Sequence, residues 1–317
     1  MQLIRHLPAF ATLPAFAQGC VLAIGNFDGV HLGHQHILAR LKAKSATLNL
    51  PSVVMLFEPQ PREFFAKQSE KFTAPARLMR LRDKLHALKE LGIDYVFCVR
   101  FNQAFATLSP DAFIQQLLVK TLNVRYLSVG DDFHFGANRQ GNFATLKQAS
   151  EQFGFEIEDS ESHCLEQERI SSSLIREALA SDDFALAERL LGKPYAISGR
   201  VAHGNKLGRT IGFPTANIML NRLVTPIQGV YAVQVETAFG RFNGIANVGN
   251  RPTINGTKPL LEVHIFDFAE KIYGQAISVS FLQKIRAETK FDSFEQLKQQ
   301  IEQDVIAVKT FFARAEN

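Results

Sequence analysis

His31 and His34 stand three residues apart inside the stretch GNFDGVHLGH, Gly25 to His34. On a helix that spacing puts both rings on one face of a single turn. Two imidazoles so placed can donate hydrogen bonds to the phosphoryl oxygens of a nucleotide and stabilise charge as pyrophosphate departs. Gly25, Gly29 and Gly33, with Phe27 and Asp28 between them, let the backbone approach a ligand closely. A helix opening here turns unpaired N–H groups and the positive end of its dipole toward phosphate. No residue of the stretch resembles an activated nucleophile, which favours direct in-line transfer.

Further along, Ser171, Ser172 and Ser173 precede a helical turn and can present hydroxyls and N–H groups to phosphate, with Arg176 adding a fixed positive charge. Gly130-Asp131-Asp132-Phe133 follows an apolar run, so Asp132 falls where a parallel sheet binds its ligand. Phe133 and Phe135 alternate with His134. Either ring can meet a flat ligand, and both can equally be core.

A second constellation lies between His203 and Asn217, HGNKLGRTIGFPTAN. Gly204, Gly208 and Gly212 with Lys206 and Arg209 make a basic, pliable loop able to fold over ATP phosphates. It lacks the spacing of a P-loop. In PTAN, Thr215 and Asn217 lie two apart, so an extended chain points both to one side. Their hard oxygens suit Mg²⁺, which keeps several waters and bridges to phosphate. In LLEVHIFDF, alternation sets Glu262, His264, Phe266 and Phe268 on one face. A carboxylate between Leu261 and Val263 is unexpected in a plain strand. Glu262 can take the proton of a substrate hydroxyl as it attacks a γ-phosphate.

GNFDGVHLGH resembles the HxGH nucleotidyltransferases. The matches that follow it are FEPQPREFF, RLMRLRDKLHALKELGID, VGDDFHFGANRQGN and ISSSLIR. Together they are similar to the N-terminal half of the bacterial bifunctional riboflavin kinase/FAD synthetase. The PTAN and LLEVHIFDF stretches, with GVYAV, NVGNRPTI and KIRAETKFDSFEQL, resemble the riboflavin kinase half. The resemblance implies that riboflavin and ATP give FMN, and that FMN and a second ATP give FAD and pyrophosphate. It also implies that Thr215 and Asn217 hold magnesium and ATP, that Glu262 is the base, and that Arg286 and Phe291 contact flavin. In the first half Asp132 and Phe135, from their place after the strand, are the expected flavin contacts. Two positions depart from the family pattern: Ser173 stands where Thr is usual, and His134 where Arg is frequent. A nucleotidyltransferase acting on another phosphate acceptor is the alternative, and the kinase-like second half argues against it.

The elements that must carry these residues are legible as patterns. Residues 20 to about 180 alternate strand-like runs (Val21–Ile24, Val53–Phe57, Tyr95–Val99, Arg125–Val129) with helical periods. One helix is expected from Gly33 to Lys44, another from Arg77 to Leu91 with Pro75 near its first turn, and a third capped by Ser109. That rhythm predicts an α/β fold, a Rossmann-like parallel sheet covered on both faces. Asp182 is expected to cap a short helix ending at Gly192. Beyond it come short β-rich runs: Ile197–Val201, Val230–Glu236, Arg241–Val248, Leu260–Phe268 and Ala276–Leu282. They predict an antiparallel β-barrel. A last helix is expected from a Ser293 capping box, with a stripe of Leu297, Ile301, Val305, Val308 and Phe312. The expected domains are 1–184, with the nucleotidyltransferase, and 185–317, with the kinase.

Composition excludes several classes. With 46% hydrophobic and 21% charged residues over 317 positions, the chain is globular and long enough for two cores. A formal net charge of +4 is too small and scattered to indicate nucleic acid. Arg77, Arg80, Arg82, Lys84 and Lys89, interrupted by Asp83 and Glu90, read as a solvated helix face. Cys20, Cys98 and Cys164 are dispersed, as in a cytoplasmic protein with reduced thiols. The N-terminal stretch faintly has the order of a secretory leader, but Pro8 and Pro14 interrupt it and VLAIG follows Cys20 directly. No run is long and apolar enough to span a membrane. The expected partners are therefore small molecules, with self-association possible.

Overall fold

A computed structural model describes the chain apart from residues 8, 9, 11, 12, 160–163, 166, 167, 204–211, 221, 223, 254, 255, 316 and 317. It divides into two compact units, 1–75 with 79–171, and 76–78 with 172–317.

The first unit is built on a parallel sheet. Its strands are β1 (Gln2–Ile4), β2 (Cys20–Ile24), β3 (Ser52–Glu58), β4 (Tyr95–Arg100), β5 (Val124–Val129) and β6 (Glu156–Asp159), in spatial order β1-β4-β3-β2-β5-β6. The apolar runs are continuous because both faces are covered. Val21, Ala23, Val54 and Leu56 pack under Leu38 and Leu41 of the Leu32–Leu48 helix and Leu88 of the Leu81–Glu90 helix. Leu22, Ile24, Val53 and Met55 face Phe113, Leu117 and Leu146 on the other side. From β2 the chain moves outward through β3 and β4, then returns to the opposite flank of β2 as β5. Strand order reverses there, so the carboxyl ends of β2 and β5 open the crevice where such sheets bind ligands. β7 (Cys164–Leu165) and β8 (Glu168–Arg169) form a separate small pair.

Two helix expectations needed correction. The period read from Arg77 begins as helix only at Leu81, so Pro75 lies outside it. Leu78 is buried although outside the helix, and the Met79 amide is drawn to Asp28 instead of a helical carbonyl. The cap of the Phe184–Leu191 helix is Asp183, whose Oδ1 accepts from the Leu186 amide, while Asp182 sits at φ 64°. Ser109 caps as expected, through the Ala112 amide.

The second unit is a closed antiparallel barrel. Its strands are β9 (Ala196–Ala202), β10 (Ala216–Met219), β11 (Gly229–Thr237), β12 (Gly240–Thr253), β13 (Gly256–Ile265) and β14 (Ala276–Arg286), in order β10-β13-β12-β11-β14-β9. Closure removes exposed strand edges. Leu261, Val263, Ile218, Val233 and Phe281 fill the interior. The Phe294–Ala315 helix lays Val305, Val308 and Phe312 on Val230, Ala232 and Ile245, which therefore mark the barrel's outer face. Ser293 receives the Gln296 amide as a cap.

Candidate active sites

In the first unit the glycine-rich turn leaves β2 and enters the Leu32–Leu48 helix with His31 as N-cap. His31 Nδ1 accepts from the His34 amide at 3.3 Å. That bond puts the proton of neutral His31 on Nε2. The two rings stack, with centroids 3.6 Å apart. Burial, then His31 and Lys84, hold the His34 pKa well below its usual value, so His34 is neutral in the folded protein. His36 is exposed, outside the pair.

The turn is held rigidly. Phe27 and Val30 adopt φ of 45° and 44°, a region that disfavours a β-branched side chain, and strain of this kind costs about 1–3 kcal/mol per residue. Both are buried in the core under the Leu32–Leu48 helix, which compensates. A side chain at Gly33 would come within 3.3 Å of the His31 ring and of the Ile170 carbonyl, so backbone packs closely there. Asp28 is buried and ties the turn to the Met79 amide. Gly25 faces the Phe27 ring.

Lys84 corrects the solvated-face reading. It is 2% exposed, and its Nζ donates to the Asn26 carbonyl at 2.5 Å. A lysine four residues beyond Arg80 on a charged helix gives no sequence signal of burial. Only the fold of the glycine-rich turn against it creates the partner.

Asp132 lies at the end of β5, beside β2, and is exposed. Its neighbour Asp131 pairs with Arg169 at 3.0 Å. Phe135 is a core ring, packed on Phe113 and filling the space in which a Gly141 side chain would stand. Phe133 stacks on it from a less buried position. Ser171 ends the first unit. Ser172, Ser173 and Arg176 open the second, where Arg176 Nε donates to the Ala76 carbonyl at 2.6 Å.

On the barrel, Asn217 of β10 and Asn247 of β12 both pair with Glu262 of β13, from opposite sides. Glu262 is half-buried, while its neighbours Leu261 and Val263 are fully buried. Asn217 Nδ2 donates to the Thr215 carbonyl at 3.3 Å, so its Oδ1 is the atom able to accept from or bind a ligand. With the Thr215 hydroxyl it offers a pair of neutral hard-oxygen donors, as suits Mg²⁺ that takes its remaining ligands from phosphate and water. His264 donates from Nδ1 to the Pro214 carbonyl at 2.9 Å, pinning the PTAN segment from the same face as Glu262. Sequence reading brought neither Asn247 to Glu262 nor the His264 ring to Pro214. Register across strands, invisible in the linear order, brings Asn247 in.

Arg286 is committed within the protein. Its Nε and Nη2 donate to Asp304 at 2.9 and 2.8 Å, Nη1 donates to the Ala287 carbonyl, and its guanidinium lies over Phe291. Gly204, Lys206 and Gly208 lie outside the described residues.

Comparison with known proteins follows the same division. Residues 13–174 match the FAD synthetase family and residues 191–312 the riboflavin kinase family. The chain is 59% identical to the bifunctional riboflavin kinase/FMN adenylyltransferase of Haemophilus influenzae, covering 98% of this chain and 99% of that one. Against the protein of that name from Escherichia coli K12 identity is 52%, with 98% of each covered. A solved structure described as a macrolide-efflux protein from Streptococcus pneumoniae superposes with a TM-score of 0.76 at 32% identity, over 97% of this chain and 98% of that one. Among the described residues here no helix is long and apolar enough to cross a membrane. With both family domains present in order and more than half its residues shared with such relatives over nearly its full length, this chain belongs to the bifunctional riboflavin kinase/FMN adenylyltransferase family.

Proposed function

We propose that the two reactions divide along the chain, with riboflavin phosphorylated within 185–317 and FMN adenylylated within 1–184. In the kinase half Glu262 takes the proton of the ribityl 5′-hydroxyl. The oxygen attacks the γ-phosphorus of ATP, the bond to the β-γ bridging oxygen breaks, and FMN and ADP result. Catalysis here is mostly positioning and charge stabilisation. Thr215 and Asn217 would hold Mg²⁺, which neutralises phosphate charge when bound. Gly204, Lys206 and Gly208 supply the loop over the phosphates.

In the first half an oxygen of the FMN phosphate attacks the α-phosphorus of a second ATP, and pyrophosphate leaves. The attacking phosphate is already anionic and needs no base. His31 and His34 donate to the phosphoryl oxygens, His34 as a neutral imidazole, with Gly25, Phe27, Asp28 and Gly33 shaping the turn and Ser171, Ser172, Ser173 and Arg176 contributing to nucleotide binding. Asp132 and Phe135 stand on the flavin side, with Phe133 the more accessible ring. Arg286 and Phe291 act on flavin in the kinase half as a rigid pair, since the guanidinium is already bonded to Asp304. The reactions take place in the cytoplasm, a setting supported by the buried cysteines Cys20 and Cys98. The reading gives no role to nucleic acid or membrane.

The observation that carries this reading is the register of Asn217 with Glu262, which sets the PTAN amide beside a half-buried carboxylate. The test is chromatography of products over time from riboflavin, ATP and Mg²⁺. FMN should appear first and decline as FAD accumulates. FAD without FMN, or neither flavin nucleotide, would overturn it.

A further inference from the structure

Paired residues on adjacent antiparallel strands project from the same face of a sheet. Asn217, Glu262 and Asn247 therefore form one polar row across β10, β13 and β12. The row continues to Val230 on β11, which pairs with Asn247. Val230 packs with Val308 of the terminal helix, so the row lies on the outer face and one end of it is closed by apolar packing. The neighbouring row, Ile218, Leu261 and Val248, is 1% exposed or less and faces the interior.

An amide is unexpected beside Val230, where strands favour a β-branched apolar residue. Asn247 Oδ1 is buried and has no hydrogen-bond partner among the described residues. An unmet buried acceptor is destabilising, so its presence calls for an explanation. The missing partner must be a donor. Phosphate oxygens only accept, whereas a sugar alcohol carries several O–H donors along a chain that has to reach Glu262.

We propose that Asn247 is a substrate-binding residue of the kinase half, its Oδ1 accepting a hydrogen bond from a secondary hydroxyl of the ribityl chain. Asn247 thus grips the chain one strand away from the base and sets the reach of its terminal hydroxyl. The inference rests on Glu262 being the base of riboflavin phosphorylation.

The test is a cycle between side chain and substrate on the full chain, with riboflavin and three analogues that each lack one secondary ribityl hydroxyl. Asn247→Ala should lower kcat/KM for riboflavin about tenfold, the loss of one well-formed hydrogen bond. It should cost nothing further against the one analogue that lacks the bonded hydroxyl. FMN adenylylation by the same preparation should be unchanged. An equal loss against riboflavin and all three analogues, no loss at all, or a change only in the Mg²⁺ requirement would overturn the proposal. Should the alanine variant fail to fold, Asn247→Ser, too short to reach, is read in the same cycle. Glu262→Gln is run in parallel. If it still phosphorylates riboflavin, the assignment of the base falls and the inference with it. If it is inactive and Asn247 shows no coupling, only the inference fails.

Discussion

The two halves build their sites in different ways. In the first, the candidate histidines and glycines lie on one continuous peptide, Gly25 to His34, at the end of a parallel strand. Main-chain amides and two stacked imidazoles are presented by the opening of a single helix. In the barrel, the polar groups come from three strands, and no two of Asn217, Asn247 and Glu262 are near in sequence. The first arrangement needs a strained turn buttressed by its core, and the second needs only register. A loop site depends on local backbone geometry, whereas a strand-row site depends on the hydrogen-bond ladder that aligns it.

That contrast predicts independent failure. Glu262→Gln should reduce FMN formation by about 10²–10⁴-fold, the usual contribution of a positioned base, with FMN-to-FAD conversion intact. Separate assays of each half-reaction check this, and equal loss of both activities in folded protein would break the two-site division. His31→Ala should do the reverse, lowering adenylylation by about 10²-fold while kinase turnover stays level.

Next in size is an effect on stability. Asp304 is almost wholly buried and holds Arg286 through paired hydrogen bonds. Asp304→Ala leaves a partly buried guanidinium without its partner and should destabilise the second unit by about 3 kcal/mol. Denaturant unfolding should show this as a lowered midpoint, with kinase activity lost at lower denaturant than adenylylation.

The smallest effect concerns pH. His34 stays neutral in the folded protein because burial, His31 and Lys84 disfavour its charge. The unfolded chain takes up that proton as pH falls through about 6.5, so folding stability drops below that pH and recovers above it. His34→Gln should flatten this acid-side loss in urea unfolding between about pH 5.5 and 7.5. An unchanged slope would mean that His34 is charged in the native state.

The thiol of Cys20, pushed up to about 12 by desolvation, is a small core group of the first unit. The five expected barrel strands were legible because alternation and turn residues are local signals. β10 was less so, since four residues beginning inside PTAN look as much like a turn as a strand. The helix expected from Arg77 was misplaced because Leu78 continues the apolar period while its backbone belongs to another contact.

Sequence alone determined the parts that are written contiguously. These are the α/β rhythm, the histidine pair behind the first glycine turn, the PTAN segment, the Glu262 strand and the capped terminal helix. Only the tertiary structure decided that Asn247 stands beside Glu262, that Lys84 is buried against the glycine-rich turn, that Phe135 is core and that Arg286 is bonded to Asp304. The reason is physical. Local propensity and periodicity are properties of neighbouring residues, whereas burial and pairing depend on which distant strand or loop closes over a side chain.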